Sequence, residues 1–224
     1  MEFTIENIME NLKSLGDEKR FTYNKKQGVG DNQFGITLGK LRPLAKKIKT
    51  NHQLALELWN TENYEARILS AMLLDPKKLT EEEVHKFMDS TELLVLVDEL
   101  IFHGVSKSYI AKDLMKKLLS SENEKYERAG WDLAITLNSK NKLDKQEMDN
   151  LLEQVEANLK EASDVTQFAM NRTLCEIGIK HDDYTERCIQ MGEKLGVYKD
   201  IKVAKGCYSS YAPEWIKVGL SKRK

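Results

Sequence analysis

Apolar positions recur at helical spacing along most of the chain. Ile110, Leu114 and Leu118 fall four apart, and so do Leu151, Val155 and Leu159, with Met148 and Leu152 widening the second stripe. No run alternates apolar and polar residues long enough to make a strand, and neither Asn-Gly nor Asp-Gly marks a hairpin turn. Start signals punctuate the periodic stretches. Thr80–Glu83 has the Ser/Thr-x-x-Glu form of a capping box, and Asp75-Pro76 closes the helix before it. Ser106, Ser121 and Asp144 each stand where a polar segment gives way to a new periodic stretch.

The pattern predicts about ten or eleven helices of roughly ten to eighteen residues joined by short loops. They fall into pairs of roughly 30–45 residues, the period of HEAT or armadillo units. Residues 54–76, LALELWNTENYEARILSAMLLDP, illustrate the unit. One helix ends at Trp59, and after a polar turn a second carries Tyr64, Ile68, Ala71 and Met72 inward, with Arg67 on another face. Such pairs bury their apolar faces only by stacking, which predicts an all-α, HEAT-like helical-repeat solenoid with a concave groove, one domain over residues 1–224. An irregular helical bundle is the alternative. Two segments break the periodicity. Residues 24–33, NKKQGVGDNQ, read as an exposed loop, and residues 199–213, KDIKVAKGCYSSYAP, combine lysines with tyrosines. That second composition suits a nucleic-acid backbone, and is also common in surface loops without function.

Composition narrows the classes without choosing among them. At 224 residues, with 41% apolar and 32% charged residues, the chain is long enough to bury a substantial core. The net charge of −1 is unevenly spread. Residues 1–50 hold ten Lys/Arg against six Asp/Glu, residues 81–161 eleven against eighteen, and residues 199–224 seven against two. A uniformly basic DNA binder is excluded, whereas one basic face on a folded protein is not. Cys175, Cys188 and Cys207 are odd in number and form no C-x-x-C pair, which suits a reducing cytoplasm. The opening MEFTIENIMEN lacks a signal-peptide pattern, and the longest aliphatic run, Leu93–Val97, is too short to span a bilayer. A cytoplasmic protein without membrane contact is expected. A monomer is the expected state, although the residues leave it open.

The chemical motifs are sparse. Phosphate-binding glycine loops, the G-x-S-x-G elbow and H-E-x-x-H are all missing, and His52, His85, His103 and His181 have no partner at ligand spacing. Neither a metal nor a cofactor is expected. One acid stands out: Asp98 lies inside the apolar helix LLVLVDELIF. It is either aimed into a cleft, or structurally paired or turned to water, with burial raising its pKa and a guanidinium lowering it.

Several stretches together resemble the AlkD-like DNA alkylation repair family of HEAT-like proteins. They are FGITLGKLRPLAKKIK (34–49), the LW…EAR…LLDP stretch (58–76), the Val-Asp of LLVLVDEL (93–100), ERA (127–129) and FAMNRTLCEIGI (168–179). The tail MGEKLGVYKDIKVAKGCYSSYAPEWI is similar to the C-terminal segment of some members, so the match spans about residues 34–216 in order. Active members are glycosylases that remove N3- and N7-alkylated purines. The resemblance therefore implies a basic groove that holds damaged or branched double-stranded DNA by its backbone. A cationic base is already a good leaving group, so one carboxylate that stabilises an oxocarbenium-like sugar and positions a water suffices.

Carried over by position, Asp98 matches the catalytic aspartate, and Arg128 and Arg172 match basic residues on two following helices. Lys40, Lys46, Lys202 and Lys205 are the further expected DNA contacts. Asp98, Arg128 and Arg172 are expected to converge on the concave face. The sequence departs from the pattern at two places. Leu94 stands where a tryptophan precedes the aspartate by one turn, and Glu176 (Cys175 if the alignment slips by one) stands where a second tryptophan belongs. Trp131, three residues after Arg128, either faces the lesion in their stead or packs between repeats. The 24–33 loop also stands where active members have another helical element. Three readings follow: a DNA binder of this family without excision, an alkylpurine glycosylase using Asp98, or a helical scaffold for proteins.

Overall fold

Helices account for all the regular structure among the described residues, 3–204 and 207–223, of the computed structural model. There are thirteen α-helices among them, of nine to seventeen residues, and one 3₁₀ turn at Val105–Lys107. The all-α expectation holds. The chain divides into two compact units, Met1–Leu114 and Met115–Lys224. No helix is long and apolar enough to cross a membrane among the described residues.

The first unit holds α1 (Ile5–Ser14), α2 (Glu18–Lys26), α3 (Leu38–Ile48), α4 (His52–Asn60), α5 (Tyr64–Leu73), α6 (Glu81–Asp89) and α7 (Leu94–His103). Its centre is α5, which packs on α3, α4 and α7 and is buried from Tyr64 through Ala71. The capping box at Thr80 forms: Thr80 Oγ1 accepts from the Glu83 amide at 3.2 Å, and Glu83 Oε2 accepts from the Thr80 amide at 3.0 Å.

Residues 24–33 are mostly the exposed loop expected, with residues 25–28 and 30–32 exposed, but the loop is tied down. Residues 24–26 complete α2, and Asn24, Val29 and Gln33 are buried, with Asn24 Nδ2 donating to Gln33 Oε1 at 2.9 Å. The Asn32 carbonyl accepts from the Tyr64 amide at 2.9 Å, while Asn32 Nδ2 donates to the Thr61 carbonyl at 3.0 Å. The segment is thus stitched to the α4–α5 turn by polar partners about thirty positions away, which no local pattern announces.

Glu65 anchors the backbone that leads from this segment into α3. This fully buried carboxylate accepts from three successive backbone amides, Phe34 at 2.8 Å and Gly35 and Ile36 at 2.9 Å each. Gly35 has φ +75°, and a Cβ there would collide with the Asp17 carbonyl and the Phe21 amide, so only glycine fits. Arg67, expected on another face of α5 than Tyr64 and Ile68, is buried as well. It is 7% exposed, donating from Nε to the Trp59 carbonyl at 3.1 Å and from Nη1 to the Ser90 carbonyl at 3.0 Å. Its guanidinium lies 5.3 Å from the centre of the Trp59 ring, and burial lowers its pKa from the usual arginine value.

The boundary between the units falls within α8 (Ala111–Leu119). The second unit continues with α9 (Glu124–Ser139), α10 (Lys145–Asn158), α11 (Asp164–Lys180), α12 (Asp182–Leu195) and α13 (Ala212–Lys222). Here α11 is central, packed on α9, α10, α12 and α13. Asp144 opens α10 with a second capping box, accepting from the Glu147 amide at 2.9 Å while Glu147 Oε2 accepts from the Asp144 amide at 3.1 Å. Two other expected starts move. Ser106 is buried in the 3₁₀ turn, and Ser121 Oγ accepts from the amide of Asn123, which is the residue that caps α9.

Candidate nucleic-acid interface

In the first unit, α7 places Asp98. Its start is set by Thr91, whose Oγ1 accepts from the Leu93 amide at 3.1 Å. Burial of Leu96, Val97, Leu100 and Ile101 fixes the inner face. Asp98 is left half-buried on the flank, with Leu94 and Phe102 one turn before and after it, both half-buried as well. Glu99, beside it, pairs with His103 at 3.0 Å. Of the other expected contacts in this unit, Lys46 is exposed on the last turn of α3. Lys40 is exposed too, but its ammonium donates to the Leu15 carbonyl at 2.9 Å, beyond the end of α1.

In the second unit, α9 is buried continuously from Ala129 to Asn138. Gly130 permits this, because a Cβ there would lie 2.7 Å from the Leu119 backbone nitrogen. Arg128 sits half-buried just before that stretch, and its Nη1 donates to the Val165 carbonyl at 2.9 Å. Glu127 accepts from Thr166 Oγ1 at 3.3 Å and from Trp131 Nε1 at 3.4 Å. Trp131 is 1% exposed. It is therefore a packing residue and offers no ring face to a lesion, because its neighbours along α9 are buried around the whole circumference.

Along α11, burial leaves one narrow strip. Thr166, Ala169–Asn171, Thr173–Cys175, Ile177 and Gly178 are buried, while Asp164, Phe168, Arg172, Glu176 and Lys180 reach solvent at successive fourth positions. Arg172 Nε pairs with Glu176 Oε1 at 3.6 Å. Cys175, the alternative at the second tryptophan position, is buried, and burial, then the Glu176 charge, raises its thiol well above its ordinary pKa. Burial also pushes the Cys188 thiol to about 12. Phe168 is not among the residues expected from the sequence, and its spacing with Arg172 and Glu176 is the signal that reveals it. Lys202 is exposed in the irregular stretch before α13, and Lys205 lies outside the described residues.

Residues 8–216 match the model of a family described as DNA alkylation repair enzyme. The chain belongs to that family. Proteins similar to it include uncharacterised proteins of Listeria innocua serovar 6a, at 25% identity, and Listeria monocytogenes serovar 1/2a, at 23%. Each alignment runs over 201 residues, 86% of this chain and 87% of the relative. A solved structure superposes with a TM-score of 0.86 at 27% identity, covering 98% of this chain and 95% of that one. That protein represents a new family related to the HEAT-like repeat DNA glycosylases, with affinity for branched DNA structures. The all-helical fold of this DNA alkylation repair family member is thus a HEAT-like, glycosylase-related one.

Proposed function

We propose that this chain binds branched or alkylation-damaged double-stranded DNA, mainly through the backbone, with Arg128, Arg172, Lys40, Lys46 and Lys202 on phosphates. The observation that carries the reading is Arg172 on α11. In a helix buried along much of its length, its guanidinium stays at the surface, where it suits a phosphate. The branched-DNA affinity of the structural relative supports the same ligand class.

Binding of this kind releases counterions. Five phosphate contacts give a slope of log K against log salt of about −4.5, a loss of roughly 500-fold between 50 and 200 mM salt. Fluorescence anisotropy with a labelled junction across that range checks it. A flat salt response, or no binding to any duplex or junction, would remove the reading and leave the protein-scaffold alternative.

Excision is the second reading, and the observation favouring it is the half-buried Asp98 between Leu94 and Phe102 on α7. A carboxylate there would stabilise the positive charge that develops on the sugar as an alkylated purine departs. Leu94 offers no π-face to that charge, so stabilisation from α7 would rest on Asp98. The assay is release of N7-methylguanine or N3-methyladenine from methylated DNA. Under this reading Asp98→Asn slows release by about 10²–10³-fold. Junction binding without release from the wild type would leave the binder reading standing alone.

A further inference from the structure

We propose that a cleft between α11 and α13 receives a single nucleobase unstacked from its strand, an inference that rests on the DNA-binding reading. The cleft measures about 600 Å³, the size of a small-ligand pocket rather than of a groove for a helix. Phe168 and Trp215 form one wall, their ring centres 5.9 Å apart and their planes inclined by 43°. Tyr208 lines it as well, 60% exposed, with the Lys222 ammonium 3.8 Å from its ring centre.

The walls are held from behind. Asn171, 1% exposed, donates from Nδ2 to the Ser210 carbonyl at 2.8 Å and so ties the segment before α13 to α11. Ser209 Oγ accepts from the Tyr211 amide at 3.1 Å, and buried Ala212, Pro213 and Ile216 seat the start of α13 beneath Trp215.

The chemistry points to one kind of occupant. The described lining contains three aromatic rings, two serines and one lysine, and no carboxylate, in a chain whose net charge is −1. Aromatic faces with a cation and no acid suit a flat π-system joined to an anion, which a nucleotide is and an aliphatic side chain is not. Arg172 follows Phe168 by one turn on the same strip, within reach of the adjoining phosphate. In a fully paired duplex the bases stay stacked inside, whereas a branch point offers unpaired ones. The cleft would therefore supply preference for branched over plain duplex DNA, on top of the backbone contacts.

Trp215 reports on the site directly. Trp59 and Trp131 are 3% and 1% exposed, so quenching by a stacked base falls on Trp215 alone. The probes are a short thymidine single strand, a three-way junction and a blunt-ended, fully paired duplex. The single strand and the junction are expected to quench tryptophan emission, and the duplex is not. Phe168→Ala and Tyr208→Ala should each weaken single-strand and junction binding about tenfold while changing duplex affinity about twofold or less, and Phe168→Trp should restore it. Unfolding midpoints of the variants separate a lost contact from a lost fold.

Equal losses for duplex and junction would overturn the proposal, as would duplex binding without quenching by the single strand. Concentration-dependent self-association abolished by Phe168→Ala would also overturn it, by giving the cleft to a second copy of the chain. Retained salt-dependent duplex binding in those cases leaves the DNA-binding reading intact, whereas absence of all binding removes both.

Discussion

Glu65→Ala is expected to destabilise the first unit by about 4 kcal/mol, the largest effect of any single polar substitution in it. The carboxylate is fully buried and is the acceptor for the Phe34, Gly35 and Ile36 amides. Each of these hydrogen bonds to a charged group contributes about 1.5–3 kcal/mol, and three buried donors left without an acceptor cost more than the bonds alone. A methyl group supplies no acceptor, and Gly35 at φ +75° lies too close to Asp17 and Phe21 for the backbone to turn its amide elsewhere.

Glu65→Gln divides the effect. Oε1 accepts from both Gly35 and Ile36 while Oε2 accepts from Phe34, so an amide keeps two bonds and faces the Phe34 N–H with its own NH₂. Urea unfolding followed by circular dichroism should rank wild type above Gln above Ala. A loss below about 1 kcal/mol for Ala would mean that the three amides find other partners, and that Glu65 does not anchor this backbone.

Arg67 should behave as the second keystone, with a loss of about 3 kcal/mol on Arg67→Met. Its fork serves the carbonyls of Trp59, at the end of α4, and of Ser90, just past α6, while its plane lies near the Trp59 indole. Ser90 Oγ accepts from Trp59 Nε1 at 2.9 Å, and Phe87 packs on Trp59 at 4.8 Å, so the same indole loses its surroundings. Arg67→Lys is expected to lose nearly as much, because a single ammonium cannot occupy both carbonyls. Emission from Trp59 should move to the red in both variants. Full stability in the lysine variant would show that charge alone, and not the planar fork, holds the two helix ends.

These two residues also show where the sequence is readable. Thr80 and Asp144 announce their helices because the partner of a capping box lies three residues away, inside any local window. Glu65 finds its partners twenty-nine to thirty-one positions away and Arg67 reaches Ser90 twenty-three away, besides the nearer Trp59 and Glu62, and their charge argues for the surface. The anchors of residues 24–33 are hidden in the same way, since a glycine-bearing polar loop reads alike whether free in solvent or stitched down by Asn32 and Gln33. The helix count comes out low because α1 and α2 are short and separated by only Leu15–Asp17.

At the candidate interface, helix placement was legible and side-chain exposure was not. Trp131 follows Arg128 by three residues, so spacing alone puts both on one face. Burial of the whole circumference of α9, which depends on what packs around it, makes the tryptophan a core residue. Phe168 and Trp215 lie forty-seven positions apart and meet because α11 packs on α13, with Asn171 tying the segment before α13 to α11.

The narrowness of the α11 strip bears on how proteins of this family diverge. Around most of that helix a new side chain must fit neighbours on four other helices, so change is slow and correlated. At Phe168, Arg172 and Glu176 a substitution meets mainly water and whatever the protein binds. Ligand preference can therefore drift one residue at a time along a single line of the surface, while the scaffold that displays it stays fixed.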